Sequence, residues 1–489
     1  MNISDKYEKL LVYGGGALFI ILNAFFILRE FYLFPVLVLI PVVLYFAFFS
    51  LNRLFMAVVF LTPLSIELSL FFEEIPVDLS LPTEPLIIGI LLLMLFRLMY
   101  DKPLNRDIIY HPVSLAVIFY IVWLMVTTMT STMPLVSLKF LLVRIWFTGV
   151  FFFLAIQLFR QKRNISTFIW CYVAALTIVI VFTLYKHAGQ GLVSQAVAHW
   201  VVRPFYNDHT AYGAALAMFI PMLALFSFRE KGTFHERGIA GALLVVFLVA
   251  LVFSYSRAAW ISLVAVFGVW LIVKSRIRFS SLVSLGMVMA LLVMLLWSDI
   301  IREMERNTQD SSADFGEHIR SITNITSDAS NLERLNRWNA AMGMFRERPV
   351  TGFGPGTYMF QYAPYQHSED RTIISTNLAE GGDAHSEYLG PLAETGFPGM
   401  ISFILVAALA MVTGFRLLNK LRSEDDRRLV LGALLGLISY LVHGFLNNFL
   451  HSDKAAVPFW GFIAVIVAMD LYGKRSGELK TKDGDVVKD

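Results

Sequence analysis

Two arginines and one histidine are the residues of this chain whose types and positions would support chemistry at a membrane surface. Arg257 lies in the short polar turn 254–258 between two apolar runs, and Arg203 lies in the polar loop before them. His385 stands near the end of the largest polar segment, residues 298–395. A guanidinium can donate two parallel hydrogen bonds to a phosphate, and an imidazole titrates near neutral pH. Together these residues predict anion binding beside a general base.

Each of the three residues also has a simpler explanation. Arg257 could be a helix-end arginine whose guanidinium reaches the membrane surface while its stem stays in the apolar phase. Arg203 could be an ordinary loop arginine near lipid headgroups, and His385 could be a surface histidine at a helix start. A chemical role for the three depends on their meeting in one cavity.

Carboxylates flank the candidate base. Asp383 and Glu387 stand two residues before and after His385, where they would orient the ring or raise its basicity. The same three residues could hold a metal ion, although acidic residues alternating along a loop do not match the usual ligand spacings. We therefore expect neither a metal nor an organic cofactor. Asp208 and His209 precede an apolar run and are expected to cap a helix.

The elements that must position these residues are membrane helices. The chain has 489 residues, of which 57% are hydrophobic and 16% are charged, whereas soluble domains carry about 25% charged residues. Apolar runs long enough to cross a bilayer, about 20 residues, recur along almost the whole chain. They predict an all-α fold, a polytopic membrane helical bundle of about 12–14 transmembrane helices with one large periplasmic loop that is partly helical. The expected spans are 10–28, 31–49, 54–71, 84–98, 112–130, 138–159, 166–185, 211–227, 238–253, 259–274, 280–297, 396–415, 429–450 and 456–472.

The basic residues predict how these spans are oriented. Loops after alternate spans carry the excess of lysine and arginine that marks the cytoplasmic side, and they lie at 97–106, 160–163, 229–237, 274–278 and 416–428. The large polar segment then faces the outside. We expect four parts: an N-terminal transmembrane bundle (1–297), a large periplasmic loop (298–395), C-terminal transmembrane helices (396–472) and a cytoplasmic tail (473–489).

The large polar segment contains a predicted helix between Asn331 and Arg348, which Pro349 should end. Apolar residues recur there at three- and four-residue spacing, and they are Leu332, Leu335, Trp338, Met342 and Phe345. The glycines of 351–356 predict a tight turn directly after this helix.

The remaining residues limit the function classes. A single cysteine, Cys171, permits no internal disulfide and no cysteine metal cluster. No Gly-rich phosphate-binding loop of the ATPase type occurs, so a substrate should arrive already activated. The net charge of +3 says little about partners, because the basic residues are not spread evenly along the chain. We expect no nucleic-acid partner.

Other polar residues lie within or beside apolar runs. Lys139 and Arg144 could bind lipid phosphates or a carboxylate on a partner helix, and the sequence leaves this open. Four polar residues around the penultimate span are expected to bond across helices rather than to act in catalysis; they are His443, Asn447, Asn448 and His451.

Several short motifs occur together between residues 200 and 400. They are the Asn207 region leading into a span, Ser256-Arg257-Ala258-Ala259-Trp260, Arg334-x-x-Arg337-Trp338-Asn339, Arg348-Pro349-Val350-Thr351-Gly352-Phe353-Gly354-Pro355-Gly356, Ala384-His385-Ser386-Glu387-Tyr388-Leu389 and Ala393-Glu394-Thr395-Gly396. As a group they resemble the O-antigen ligase/polymerase family. The first 190 residues match that family in hydropathy alone.

The resemblance implies a multi-pass glycosyltransferase of the bacterial inner membrane whose active site faces the periplasm. Such enzymes move a glycan from undecaprenyl diphosphate to a hydroxyl acceptor by an inverting, metal-independent reaction. The ligases use lipid A–core as acceptor, and the polymerases use the sugar end of another lipid-linked unit. Membrane lipids complete the expected partners.

The resemblance also implies roles for individual residues. Arg257 and Arg203 would hold the diphosphate, and His385 would activate the acceptor hydroxyl; these are the expected catalytic residues. Substrate binding is expected at Arg337, Glu387, Asn207 and Glu394. One departure concerns the residue after the histidine, which is often asparagine in the family and is Ser386 here.

Ligation of O-antigen to lipid A–core is the interpretation that we favour from the sequence. A polymerase of lipid-linked repeat units shares all the residues named above. A glycolipid transporter or flippase belongs to another class, which usually has paired hydrophobic repeats, and no such repeat is visible. A structural or partner-binding membrane protein would leave the arginines and the histidine without a chemical role.

Overall fold

The structure is a computed structural model that describes Leu22 and residues 50–70, 79–100, 105–229, 233–275, 329–366 and 382–473. Residues 1–57 and 58–489 form two compact units. In the first unit the structure describes Leu22 and residues 50–57. Helix α1 begins at Leu51. The candidate site and the helices around it lie in the second unit, which is almost entirely helical and confirms the all-α fold class.

The described residues contain fifteen helices with the ranges below and one two-stranded antiparallel sheet. The helices are α1 Leu51–Leu61, α2 Thr83–Tyr100, α3 Arg106–Ile109, α4 Pro112–Met129, α5 Pro134–Leu158, α6 Lys162–Gln190, α7 Gln195–Val201, α8 His209–Ser227, α9 Phe234–Phe253, α10 Arg257–Lys274, α11 Ala329–Glu347, α12 Tyr358–Gln361, α13 Leu389–Lys420, α14 Glu424–His443 and α15 Asp453–Tyr472. The strands are β1 Ile66–Glu67 and β2 Ser80–Leu81, which pair antiparallel. Short 3₁₀ turns follow α1, β1 and α12.

Nine of the described helices are long and apolar enough to cross a membrane. They are α2, α4, α5, α6, α8, α9, α10, α13 and α15. Helix α14 joins them as a buried helix whose first turns carry five charged residues. Below, the inner end of the bundle is the side of the basic loops 160–163, 229–237 and 416–428, and the outer end is the opposite side.

Several predicted spans have different limits in the structure. The span expected at 54–71 is wrong beyond Leu64, because Pro63 lies in a 3₁₀ turn and the chain then enters β1. The span expected at 429–450 ends at His443, after which the chain turns at Gly444 and forms a loop. The spans expected at 10–28, 31–49 and 280–297 lie outside the described residues.

Helix α13 starts seven residues before the expected span 396–415. It is kinked at Gly396, whose φ of 70° is a left-handed value that glycine adopts without strain. A Cβ atom at this position would lie 2.1 Å from the Val350 carbonyl oxygen. The Phe397 N–H donates to the Pro349 carbonyl oxygen at 2.9 Å. The kink therefore fixes the turn that follows α11 against the outer end of α13.

Helix α11 confirms the helix expected in the large polar segment, and it ends at Glu347, directly before Arg348 and Pro349. Its predicted apolar residues from Leu335 onward are only half-buried. The fully buried face contains both small apolar and polar side chains, namely Glu333, Asn336, Arg337, Ala340, Ala341 and Met344. Its apolar residues Ala340, Ala341 and Met344 pack in a small core with Phe353, Tyr358, Tyr362, Ala384 and Ala393. The core joins α11 to the start of α13.

Candidate active site

His385 lies at the outer end, four residues before α13 begins. Its φ is 47°, in the left-handed region that residues with a side chain seldom adopt. Among the described residues, one other non-glycine residue has a positive φ, Tyr255 at 51°, two residues before Arg257. Strained backbone persists where its surroundings hold it, and it concentrates at functional sites. One strained position is therefore the predicted base His385 itself, and the other lies two residues before Arg257.

Glu387 holds the segment that carries His385. Its Oε1 atom accepts hydrogen bonds from the Tyr440 hydroxyl at 2.6 Å and from the Leu450 N–H at 2.9 Å. Its own N–H donates to the Gly444 carbonyl oxygen at 2.8 Å. The carboxylate is buried and fixes the segment to α14 and the loop after it. A direct contact of Glu387 with substrate stays a prediction.

Arg144 fixes the same loop from the opposite side. This buried residue of α5 donates from Nη1 to the Leu450 carbonyl oxygen at 2.5 Å, and its guanidinium lies 4.8 Å from the centre of the Phe140 ring. The peptide groups of Leu450 thus link Arg144 to Glu387. The sequence left the partner of Arg144 open, and the structure assigns it a backbone carbonyl.

Arg337 projects from the buried face of α11 and is enclosed by protein groups. Its Nε atom pairs with Glu333 Oε1 at 2.7 Å, and both side chains are under 10% exposed. Its Nη1 atom donates to the Asp383 carbonyl oxygen at 3.0 Å, and its guanidinium lies 5.3 Å from the centre of the Tyr362 ring. Arg337 therefore connects α11 to the backbone two residues before His385. Its predicted contact with substrate is not tested by this arrangement.

Arg334 lies one turn before Arg337 on α11 and faces a different set of charges. It is close enough to Arg257, Asp208 and His385 for their charges to interact. Burial lowers the pKa of the Arg334 guanidinium, and the Asp208 carboxylate acts in the opposite direction. The structure thus places the half-buried Arg334 within electrostatic range of both the candidate base His385 and Arg257, the first residue of α10.

Arg257 is the first residue of α10, whose N-cap is Ser256. A cation at a helix N-terminus opposes the helix dipole, whereas an anion at that place is stabilised. The neighbouring helix α8 contacts this end closely: a Cβ atom at Gly213 would lie 2.6 Å from the Ser256 Cβ. Arg257 therefore adds positive charge to a helix N-terminus, and Arg334 adds more within electrostatic range of it, an arrangement that an anion would stabilise.

The environment of His385 favours its neutral form. Burial is the main cause that lowers its pKa, to about 4, and the positive charges of Arg337 and Arg334 add to the effect. The carboxylates of Asp383 and Asp208 act in the opposite direction but are outweighed. Near neutral pH the imidazole is therefore unprotonated and available to accept a proton.

Asp208 and His443 extend the cluster. The Asp208 side chain accepts from the Thr210 N–H at 2.7 Å, which confirms it as the cap of α8. Burial acts to raise its pKa, but bonds and charge from His209, with the Thr210 bonds, outweigh this and lower it. His443, the last residue of α14, is buried, and both its ring nitrogens are without a hydrogen-bond partner among the described residues. The charges of Asp208 and Arg334 reach it.

The loop before α8 carries two predicted site residues in a more exposed setting. The Arg203 side chain is exposed, and its carbonyl oxygen accepts from Lys186 Nζ at 3.1 Å. Asn207 is also exposed, and its amide donates to the Glu67 carboxylate of the β1–β2 hairpin. The contacts found for these two side chains do not join them to Arg257 or His385. Their roles at the substrate stay predictions.

Glu394 lies in the first turns of α13 and binds the backbone of the turn after α11. Its Oε1 atom accepts from the Tyr358 N–H at 3.0 Å, and its carbonyl oxygen accepts from the Gly354 N–H at 2.8 Å. The side chain is 9% exposed. These bonds hold the glycine-rich turn in place, and a contact of Glu394 with substrate stays a prediction.

The structure adds Arg334, Asp208 and His443 to the residues proposed from the sequence. From the sequence, Arg334 belongs to a motif without an assigned role, Asp208 has a capping role alone, and His443 has a packing role. A usable signal existed for Arg334, because Arg334 and Arg337 share one helical motif. Nothing in the local sequence of His443 indicates that its ring lacks hydrogen-bond partners.

The described residues contain no group of three histidine, cysteine, aspartate or glutamate side chains placed to hold a metal ion. Glu387, one of the three residues that could have formed a metal site, instead accepts its bonds from Tyr440 and Leu450. The cluster has the chemistry of a site that binds an anion and transfers a proton, at one end of a multi-pass membrane bundle.

Comparison with known proteins assigns a family to this region. Residues 242–404 match the family described as O-Antigen ligase. This region is therefore similar to the O-antigen ligase family, which confirms the resemblance stated above and supports glycan transfer of the ligase or polymerase type by a membrane protein. The matched residues include Arg257, Arg334 and His385, whereas Arg203 and His443 lie outside them. No curated protein matches the chain.

Proposed function

We propose that this protein transfers a glycan from undecaprenyl diphosphate to a hydroxyl acceptor at the periplasmic face of the bacterial inner membrane. We further propose that the acceptor is lipid A–core, so that the enzyme is an O-antigen ligase. The observation that supports this most directly is the cluster of Arg257, Arg334 and His385 at the outer end, inside the family domain.

The arginines act on the leaving group. When the bond between the anomeric carbon and the diphosphate oxygen breaks, the electron pair stays on the diphosphate and its negative charge increases. Guanidinium groups already in place beside that oxygen stabilise the transition state without having to reorganise. Arg257 and Arg334 are held by two different helices, and a bound diphosphate would offset the repulsion between them.

His385 acts on the acceptor. Its neutral imidazole takes the proton of the acceptor hydroxyl. The hydroxyl oxygen then attacks the anomeric carbon from the side opposite the diphosphate, so that the configuration of that carbon inverts. The imidazolium afterwards loses its proton to solvent. In this scheme the protein's own side chains supply both the positive charge and the base.

Donor binding should strengthen the base. In the free protein the charges of Arg337 and Arg334 help to lower the pKa of His385 to about 4, which makes it a weak base. A diphosphate bound by Arg257 and Arg334 brings negative charge near the ring and raises this pKa toward the ordinary value of about 6.5. The base would then be most effective once the donor is in place.

The test is glycan transfer by purified protein with a lipid-diphosphate-linked glycan, in the presence and absence of lipid A–core. We expect His385→Ala to lower the rate by about 10²–10⁴ while the protein still extracts as a folded, monodisperse species. A His385→Ala protein with an unchanged rate would contradict the role of the base.

The same reaction separates ligase from polymerase and tests the stereochemistry. A ligase forms one conjugate that requires lipid A–core, whereas a polymerase forms a ladder of lengthening products without it. The anomeric configuration of the new bond, read by nuclear magnetic resonance, should be the inverse of the donor's. An unchanged rate with chelators present would agree with metal independence, and a rate that a metal restores would contradict it.

A further inference from the structure

A cavity of about 520 Å³ opens at the inner end of the bundle, at the opposite end of the helices from the candidate active site. It lies between the first turns of α6, the end of α8, and the starts of α9 and α14. Its lining residues are Ser166, Trp170, Phe226, Arg229, Glu236, Arg237, Ile239, Asp425, Arg428 and Leu429. This volume is in the range of small-molecule sites, about 300–1,000 Å³.

Among the described residues, the lining of the cavity has more positive than negative charge, because it contains three arginines and two carboxylates. One carboxylate is shared: Asp425 pairs with Arg229 at 2.8 Å and with Arg428 at 3.6 Å. The other, Glu236, is engaged in the capping box at the start of α9, where it accepts from the Thr233 N–H at 3.3 Å.

Two of these arginines keep hydrogen-bonding capacity. Arg237 is exposed and forms no ion pair among the described residues. The Nε atom of Arg229 is buried and has no hydrogen-bond partner there. The cavity can therefore donate further hydrogen bonds to an anion beyond those that Asp425 already accepts.

The floor and rim of the cavity are apolar. The Trp170 and Phe226 rings stack with their centres 5.7 Å apart. Outside the cavity, Phe228 is 74% exposed and Phe234 is 93% exposed at the facing ends of α8 and α9. Aromatic side chains are enriched at the boundary between lipid headgroups and acyl chains. An occupant that is anionic at one end and apolar at the other would satisfy both parts.

We propose that this inner cavity binds the phosphate headgroup of an anionic phospholipid, with the first carbons of its acyl chains against Trp170, Phe226 and the exposed phenylalanines. Basic pockets between membrane helices on the cytoplasmic side bind such headgroups in other proteins. A soluble phosphate compound would use the same arginines but not the apolar rim. The lipid therefore fits more of the surface than a soluble anion does.

The test uses the purified full-length protein and three probes: short-chain phosphatidylglycerol, short-chain phosphatidylcholine and glycerol 3-phosphate. Dissociation constants are measured for each. We expect phosphatidylglycerol to bind at least about tenfold more tightly than phosphatidylcholine, since each basic residue near an anionic headgroup contributes about 1 kcal/mol. It should also bind at least about tenfold more tightly than glycerol 3-phosphate, which has no acyl chains to bury against the aromatic rings.

Variants locate the site. Arg237→Gln should weaken phosphatidylglycerol binding about fivefold, and Arg237→Lys should restore most of it. Phe234→Ser should weaken the lipid but leave glycerol 3-phosphate unchanged. Arg163→Gln is the matched control, because this exposed arginine lies at the same inner end but does not line the cavity; it should bind lipid normally.

Three outcomes would overturn the proposal. If phosphatidylglycerol and phosphatidylcholine bound equally tightly, the arginines would not be selecting an anionic headgroup. If Arg163→Gln and Arg237→Gln weakened phosphatidylglycerol binding equally, the lipid would be attracted by the general positive charge of the surface and not by the cavity. Glycerol 3-phosphate binding as tightly as phosphatidylglycerol would identify a site for a soluble phosphate compound.

Discussion

The two ends of the bundle use basic residues in different ways. At the inner end, cations meet carboxylates: Lys162 pairs with Asp426 at 2.6 Å, and Arg416 pairs with Asp470 at 2.5 Å. At the outer end Arg337 also pairs with Glu333, but the charge of Arg334 acts on Arg257 and on His385, and Asp208 is the carboxylate whose charge acts on Arg334. The inner pairs are partly exposed, whereas the outer cluster is more enclosed.

This difference separates structural charges from functional ones. A partly exposed ion pair contributes little to stability and can form wherever two side chains meet. Two guanidinium groups that lie close together in an enclosed place repel each other, and the Asp208 carboxylate acts against this repulsion at Arg334. A bound anion would offset the repulsion further. The comparison therefore predicts large effects on turnover at the outer end and small ones at the inner end.

The largest expected effect is on glycan transfer by Arg257→Gln and Arg334→Gln. Removing one preorganised donor from a transition state typically slows turnover by about 10²–10³, and we expect a loss of this size for each variant. Arg257→Lys should also be severely impaired, because a single ammonium cannot copy a two-pronged contact. The rate is measured with saturating donor and acceptor.

Arg416→Gln is the control for these variants, because it removes an inner-end arginine that pairs with Asp470. It should transfer glycan at close to the normal rate. If Arg416→Gln lost as much activity as Arg257→Gln, the distinction between the two ends would be wrong.

A second prediction compares Arg334 with Arg337, one turn apart on α11. Arg337→Met leaves Glu333 buried without its partner, which typically costs about 3–5 kcal/mol, so the thermal midpoint should fall. Arg334→Met removes both the repulsion from Arg257 and the attraction of Asp208, so the midpoint should change less than in Arg337→Met while transfer is lost. Thermal unfolding in detergent, followed by fluorescence, measures both.

The double variant Glu333→Met with Arg337→Met provides the control. Replacing a buried pair by apolar side chains often restores stability, so its midpoint should lie above that of Arg337→Met alone. A fall in midpoint for Arg334→Met as large as that for Arg337→Met would mean that both arginines are structural.

The third prediction concerns pH. The pKa of His385 in the free protein is lowered to about 4, so kcat/KM, which reports the free enzyme, should fall only as the pH drops toward 4. In kcat, which reports the donor complex, the same fall should occur at higher pH, since the bound diphosphate raises the pKa. Folding stability attributable to His385 is present above pH 6.5 and is lost as the pH falls toward 4.

Substitution of a neighbouring cation tests the cause of this shift. A variant that retains measurable turnover, such as Arg334→Gln assayed with excess enzyme, lacks one positive charge near the ring. Its kcat/KM should therefore begin to fall at a higher pH than in the unaltered protein. If kcat/KM fell at the same pH in both proteins, Arg334 would not act on His385.

The helices were largely predictable from the sequence, because apolar runs of sufficient length have few alternatives in a membrane. Helix α11 was predictable for a different reason, its three- and four-residue spacing before Pro349. The end of α14 at His443 was not, since the apolar residues continue to Leu450 and the turn there depends on bonds from Glu387 and Arg144. Such bonds join residues far apart in sequence and leave no local pattern.

The candidate site was predictable in its residue types and less so in its geometry. Arg257 and His385 lie 128 positions apart in the sequence (385 − 257), and the motif match alone linked them. The buried face of α11 was hidden, because Glu333 and Arg337 neutralise each other there and look like surface residues in the sequence. The burial of a polar helix face can be predicted only when the groups that pair with it are known. The periodicity of the sequence does not identify those groups.

The smallest expected effect is that of Arg203→Gln. If Arg203 contacts the diphosphate from its exposed loop, water shares the contact, and such an exposed charge contributes about 1 kcal/mol or less. We therefore expect KM for the donor to rise about fivefold while the maximal rate changes little, in contrast to Arg257→Gln. If the maximal rate instead fell by about a hundredfold or more, Arg203 would act on the transition state beside Arg257. The loop before α8 would then have to close over the cluster when the donor binds.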